Sequence, residues 1–599
     1  MPLWCAPMTE TDATPATGQK GWFGHPPALA RLFTIEMWER FGYYGMRALL
    51  MLYLTKHFVL GDHASAGLYG GYTALVYLTP LVGGLIADQY LGAKRSVRFG
   101  ALLMAAGYIA LAFGGAPSKA WAEYDGVRHE IIVENFRDGP TSAANEARYV
   151  LDNGQKLTIK GQADGSIDLI SADGAVARSL PQGALKEGSD KDPLHLAILL
   201  TALATIAVGN GFFKPNISTM VGALYAPGDS RRDAGFTIFY MGINLGSILG
   251  QFLCALLADH IGWWGGFGIA GIGMLVSFAL VTFHGGRLNG LGDTPLGQTR
   301  DRGVVIYVLA LLAIPALYWL FSNLMSAPRP TPGAGIIGMI MALPVLTKVL
   351  NLTFLIAIPG ILVWAWRAGS RQEFEMMLAA MVLVVFNVLF WTLFEQAGSS
   401  LSLFADRNTD RSVFGLFEMS APQTQNFNPI SVVILAPILS ALWGALAARG
   451  REPSIPVKFG IALIGVGAGF LILVLGAQFA DDQFRVGLFW LAALYVVHSA
   501  AELCISPVGL SMITKLSIAR ITGLMMGVWF LSISLAQSLA GLLAQSASVE
   551  TVGGEVTNPK LSLETYLAIY EKFGLITIGV GVLLLIGARW LRRWMHGVN

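Results

Sequence analysis

Glu36, Glu39, Arg40, Tyr43, Tyr44 and Arg47 form a set in which the later members stand three, four, seven, eight and eleven positions after the first. On an α-helix that spacing lines two carboxylates, two guanidinium groups and two phenols along one face. The run that carries them, 30–58, is otherwise apolar and long enough to cross a membrane. An ionised side chain in such a place costs about 2.5–3.5 kcal/mol on insertion scales, so it persists only when paired or working. The same reasoning singles out Lys214 in Gly211-Phe-Phe-Lys-Pro-Asn216, Glu395 in Phe390-Trp-Thr-Leu-Phe-Glu395-Gln396 and Glu502 in Ala501-Glu502-Leu-Cys-Ile-Ser-Pro507. Pro215 weakens the helical ladder beside Lys214 and leaves room for local adaptation of the backbone. A buried carboxyl grips its proton until a cation approaches, so acids with exchangeable cationic partners can load and release protons. A structural ion cluster would account for Glu36, Glu39 and Arg40 by themselves. The extension of the stripe to Arg47, and the acids on distant runs, favour function.

The elements that hold these groups must be membrane helices. Of 599 residues, 54% are hydrophobic and only 13% charged, with a mean hydropathy of +0.58. A water-soluble core of ordinary composition cannot hide that much apolar surface. Fourteen runs of spanning length emerge, near 30–58, 66–90, 96–115, 193–224, 234–259, 263–284, 303–324, 345–366, 374–398, 429–448, 457–478, 486–515, 522–546 and 565–592. Lys and Arg concentrate in alternate connections, from Lys94, Arg95 and Arg98 to Arg589, Arg592 and Arg593, which puts both termini in the cytoplasm. The other connections balance their charges, as at Asp406-Arg407. The polar stretch 117–192 then falls outside, and Asp125-Gly126, Asn153-Gly154 and Asp173-Gly174 are hairpin signals that predict a small β-rich extracytoplasmic insertion. Pro80 to Asp88 followed by Lys94 and Arg95 is weakly echoed by Pro437 to Trp443 followed by Arg449, Arg451 and Lys458. Two related halves around a central path are the architecture of alternating-access carriers. The expected organisation is a disordered cytoplasmic tail at 1–28 and a six-helix bundle at 29–284 interrupted by the insertion. A linker with two extra transmembrane helices at 285–372 and a second six-helix bundle at 373–599 follow.

Other classes fall away. A net charge of +2 offers no basic face for nucleic acid. Cys5, Cys254 and Cys504 have neither disulfide nor metal-ligand spacing, and the histidines fall mostly in connections or at run ends, so no metal and no cofactor is expected. No nucleophile with a matching base stands out, which argues against an enzyme. Asp88 with Lys94 and Arg95 reads as a structural or gating corner. Tyr77, Asn244 and Trp529, taken singly, are ordinary packing residues.

Together these residues resemble the signatures of the proton-dependent oligopeptide transporters of the major facilitator superfamily. Glu36-Met-Trp-Glu39-Arg40-Phe-Gly-Tyr43-Tyr44-Gly is similar to the family's E-x-x-E-R-F-x-Y-Y-G, and Gly83-Gly84-Leu-Ile-Ala-Asp88 with Gly92 resembles its second-to-third-helix signature. Phe239-Tyr240-Met-Gly-Ile243-Asn244-Leu-Gly246 matches the fifth-helix F-Y-x-x-I-N-x-G. The likeness runs from about Phe33 to the last span, the insertion excepted. It implies an all-α polytopic major facilitator fold with fourteen transmembrane helices. It also implies a monomeric inner-membrane symporter that moves protons together with di- and tripeptides. By the same resemblance Arg47 and Lys214 hold the peptide carboxy-terminus, Glu502 meets the amino-terminus with Asn244 beside it, and Tyr43, Tyr44, Tyr77 and Trp529 line the pocket. Glu36, Glu39, Arg40 and Glu395 carry or relay protons. Where animal members have a histidine on the second helix this chain has Gly70, so proton duty falls to carboxylates. A carrier of the same fold with nitrate or a drug-like cargo, or a receptor whose insertion binds ligand, are the alternatives.

Overall fold

The computed structural model describes residues 21–598 except 143–145, 163, 182, 227, 296–300 and 329–334. Most of the expected tail, and Cys5 with it, lies outside the described residues, and the first helix already begins at Pro27. The helices are α1 (Pro27–Leu52), α2 (Asp62–Ile86), α3 (Ala93–Leu111), α4 (Pro193–Gly222), α5 (Arg232–Ile261), α6 (Trp263–Thr282), α7 (Gly303–Met325) and α8 (Gly335–Ala342). They continue with α9 (Val345–Ala368), α10 (Arg371–Phe394), α11 (Ser400–Arg407), α12 (Phe427–Ala448), α13 (Ile455–Gly476), α14 (Leu488–Leu516), α15 (Thr522–Ser546) and α16 (Pro559–Trp594). Local chemistry starts several of them. Asp192 accepts from the Leu194 amide ahead of Pro193, Ser370 and Glu373 form a reciprocal capping box, and Asn558 accepts from the Leu561 amide ahead of Pro559.

Among the described residues, twelve helical segments are long and apolar enough to cross a membrane. α1 and α3 are also of spanning length but carry more charge, Glu36, Glu39, Arg40 and Arg47 on one and Lys94, Arg95 and Arg98 on the other. α1 to α6 pack as one bundle, with α3 against α4 and α6 and α1 against α5 and α6. In the second bundle α13 packs on α14 and α16, α10 on α15, and α12 on α14. The linker helices flank these bundles from outside, α7 on α4 and α2, α9 on α15 and α10.

Connections alternate between two faces. On one, the terminal face, His25 meets Tyr225 at 2.9 Å and His596 near the other end meets Glu375 at 2.7 Å. The opposite face carries an antiparallel seven-stranded sheet, β1 (Lys119–Tyr124), β2 (Val127–Glu134), β3 (Ala147–Asp152), β4 (Gln155–Gly161), β5 (Ile167–Ile170), β6 (Val176–Leu180) and β7 (Lys186–Asp190), in the order β6-β5-β4-β3-β2-β1-β7. Its tight turns use left-handed pairs, Asp125-Gly126 at φ 52° and 75° and Asn153-Gly154 at φ 49° and 83°. The sheet is tied to the first bundle by Asp138 on His57 at 2.9 Å and by the Ser118 amide on the His57 carbonyl at 2.9 Å. It is tied equally to the second bundle, through the short hairpin Thr551–Val552/Glu555–Val556 that precedes α16. There the Gly161 amide donates to Thr557 at 3.1 Å, the Thr551 amide to Glu187 at 3.1 Å, and the Ser142 hydroxyl to Glu555 at 2.5 Å.

Candidate functional site

A cavity of about 280 Å³ lies between the bundles. The first bundle contributes Glu36, Arg40, Tyr44, Arg47, Tyr77, Lys214 and Asn244 to its wall, and the second contributes Glu395, Asn428 and Glu502. At roughly 100° per residue, Glu36, Arg47, Arg40 and Tyr44 fan over an arc of roughly 80° on α1, whereas Tyr43 and Glu39 fall roughly 20° and 60° beyond its other edge. That geometry explains a difference from the sequence reading. Tyr43, expected on the wall, is buried behind it with its ring edge-on to Tyr44, and Glu39 is likewise fully buried. Trp529 also leaves the wall, because its ring fills the space that the missing side chain of Gly509 leaves on α14.

Two acids share one guanidinium on α1. Arg40 Nε lies 2.7 Å from Glu36 and 2.7 Å from Glu39. Glu36 Oε2 and both Glu39 oxygens lack a hydrogen-bond donor among the described residues. Lys214 forms no ion pair there; its ammonium sits 4.1 Å from the centre of the Tyr77 ring, a cation–π contact that leaves it facing the cavity. Arg47 reaches across the cavity to Glu395 in the opposite bundle and donates to the Tyr69 hydroxyl at 2.8 Å. Glu395 is the C-cap of α10, at the end of the ninth expected run. It opens a 3-10 turn, Glu395–Gly398, after which α11 carries the chain on to Arg407. Glu502 accepts a hydrogen bond from Asn428 at 3.1 Å, and Asn428 takes the adjacent place expected of Asn244, whose amide is turned to the Tyr240 carbonyl on its own helix.

Toward the sheet face the bundles are joined by charged pairs, two of whose members, Asp406 and Arg407, the sequence places in a connection. Arg407 grips Asp62 through two bonds of 2.7 and 2.8 Å with both side chains 2% exposed, and Lys56 binds Asp406 at 2.9 Å and Glu555 at 3.4 Å. No ion pair among the described residues joins the bundles toward the terminal face. The corner residues look elsewhere: Lys94 binds Asp293 at 2.6 Å and Arg95 binds Asp301 at 2.8 Å, both in the segment after α6, while Asp88 is exposed. Among the described residues no cluster of three or more His, Cys, Asp or Glu could hold a metal ion.

The family model described as POT family matches residues 94–558, well over half of the chain. The chain belongs to the POT family. Its similarity to individual POT proteins extends over nearly the whole length. The peptide transporter YePEPT of Yersinia enterocolitica is 31% identical, with 98% of each chain covered. Dipeptide and tripeptide permease A of Escherichia coli K12 is 28% identical, covering 95% of this chain and 94% of the permease. Among solved structures, the peptide transporter POT in complex with sulfate superposes with a TM-score of 0.69 at 28% identity, over 97% of this chain and 98% of that one. A mutant of that transporter in complex with alafosfalin gives 0.70 with the same coverage. The fold is therefore that of major facilitator transporters, and POT membership makes the chain a transporter rather than an enzyme. The glycine at position 70 of α2 has a steric reason. A Cβ there would stand 2.6 Å from the Cα of Gly541, so α2 and α15 cross too closely for a histidine.

Proposed function

We propose that the protein is a proton-coupled symporter that imports di- and tripeptides across the inner membrane by alternating access, with the terminal face in the cytoplasm. One observation carries this reading: a single chamber has unengaged cationic charge from one bundle, Lys214, opposite a carboxylate from the other, Glu502. A zwitterionic backbone is the common denominator of short peptides, and opposite charges at its two ends read length without reading sequence. Lys214 and Arg47 receive the carboxylate, and Glu502, held by Asn428, receives the ammonium, with Tyr44 and Tyr77 along the wall. Glu36, Glu39 and Arg40 hold a proton relay, supported by three carboxylate oxygens without donors beside one arginine. Protonation of Glu395 releases Arg47 to the peptide and loosens the tie across the chamber, which lets the bundles rock. One proton moved across about 100 mV supplies about 2.3 kcal/mol. The Asp88, Lys94 and Arg95 corner acts with the segment after α6 as a gate on the cytoplasmic side.

The test is uptake of a labelled dipeptide into proteoliposomes under an imposed pH gradient, with and without a protonophore. Wild type is expected to accumulate dipeptide only while the gradient lasts. Lys214→Ala and Glu395→Gln are expected to keep exchange of peptide for peptide but to lose gradient-driven accumulation. Accumulation undiminished in both variants would remove this allocation of roles.

A further inference from the structure

On the outer side of the first bundle, α7 packs on α2 and α4 but leaves a groove of about 470 Å³ between them. Gly83 and Gly211 form its floor, where α2 and α4 touch backbone to backbone; a Cβ on Gly83 would overlap the Gly211 carbonyl. Its walls are aliphatic, Val82 and Ile86 on α2 and Ile306, Leu309 and Ala313 on α7. The Thr79 hydroxyl at the inner end is already spent on the Ala207 carbonyl at 2.8 Å. Phe99, stacked on Tyr307 at 4.4 Å between ring centres, anchors α7 to α3 on the far side and fixes the width of the gap. From Thr79 to Tyr90 the groove follows α2 and the π-helical turn Ala87–Leu91 that continues it, for roughly 17 Å at about 1.5 Å per residue, about half of the ~30 Å hydrocarbon core and so the depth of one leaflet. At its outer end, on the terminal face, Arg302 lies 5.5 Å over the Tyr90 ring and pairs with no carboxylate among the described residues, while its neighbour Arg95 is taken by Asp301.

We infer that this groove binds one acyl chain of a phospholipid from the terminal-face leaflet, with the lipid phosphate on Arg302. Water gains no hydrogen bonds in an apolar slot of this kind. A zwitterionic cargo would leave both its charges unmatched there. A basic residue at the membrane-surface end of a crevice between helices is the arrangement that captures lipid headgroups. The bound chain packs on α2, α4 and α7 at once, so it fastens the linker helix to the first bundle.

The test uses the full chain in vesicles containing phosphatidylglycerol with a diazirine midway along one acyl chain, irradiated and mapped by peptide mass spectrometry. Labelling is expected to concentrate on residues 79–90 and 303–317, above that on α12, which is as little buried as α7. Ala313→Trp, which fills the groove, is expected to abolish this excess. Arg302→Gln is expected to lower labelling by the phosphatidylglycerol probe about fivefold, the weight of one basic contact at a membrane surface, and to leave labelling by a matching diacylglycerol probe unchanged. Even labelling of all lipid-facing helices, or an excess that survives Ala313→Trp, would overturn the site. Equal loss with both probes on Arg302→Gln would overturn the phosphate contact. Monodisperse elution and dipeptide uptake of the variants separate a lost site from a lost fold.

Discussion

The Asp62–Arg407 pair ties the two bundles through two hydrogen bonds, with both side chains 2% exposed. Removing one partner strands the other, and stranding a buried charge costs about 3–5 kcal/mol, whereas removing both can be nearly neutral. Asp62→Asn is therefore expected to lower the melting temperature of the purified carrier sharply, and Asp62→Asn combined with Arg407→Leu to recover most of it. Equal melting of wild type and Asp62→Asn would show that the pair does not hold the closed face. This pair was hidden in the sequence, since its members are 345 positions apart and Asp406-Arg407 looks like a self-neutralising loop. The α1 stripe was legible because helical spacing within one run needs no knowledge of neighbours. Which of its residues reach the chamber was not, because Tyr43 falls only roughly 20° outside the arc that reaches the wall, an offset that spacing alone does not resolve.

At the scale of elements, length and apolarity marked the spanning runs, and Asn-Gly and Asp-Gly pairs marked the turns of the sheet. The turn at Glu395–Gly398 falls where the ninth run stops, but α11 beyond it was not marked, because eight residues are too short to read as a span. Nor did the sequence reveal that β7 docks on the hairpin at 551–556, a contact between segments more than 360 positions apart. That contact titrates. Burial pushes the Glu187 carboxyl up to about 7, with Asp62 and Glu550 adding to the rise and the Thr551 amide opposing it. A carboxyl in the unfolded chain titrates near about 4.3. The docking is therefore strongest below that value and weakens as pH rises through about 7. Hydrogen exchange of the Thr551 amide, corrected for base catalysis, is expected to be faster at alkaline than at acid pH, and Glu187→Gln is expected to remove the difference. Identical protection at both pH values would show that Glu187 does not control the docking.

For the whole molecule, the sheet is covalently continuous with α3 and α4, hence with the first bundle, yet it bonds to the second through Thr551, Glu555 and Thr557. Any rocking that opens the sheet face must break those bonds in every cycle. Cysteines at Ser142 and Glu555, whose side chains meet at 2.5 Å, are expected to halt dipeptide uptake when joined by a short thiol crosslinker and to permit it when the linker is cleaved. Unaltered uptake with the crosslink complete would show that transport does not require this junction to open. Burial at this junction is shared between strands and hairpin rather than with the charged chamber. An antibody fragment wedged across the junction from the watery side would therefore act as a brake, slowing turnover at every cargo concentration and leaving the carrier's grip on its cargo untouched.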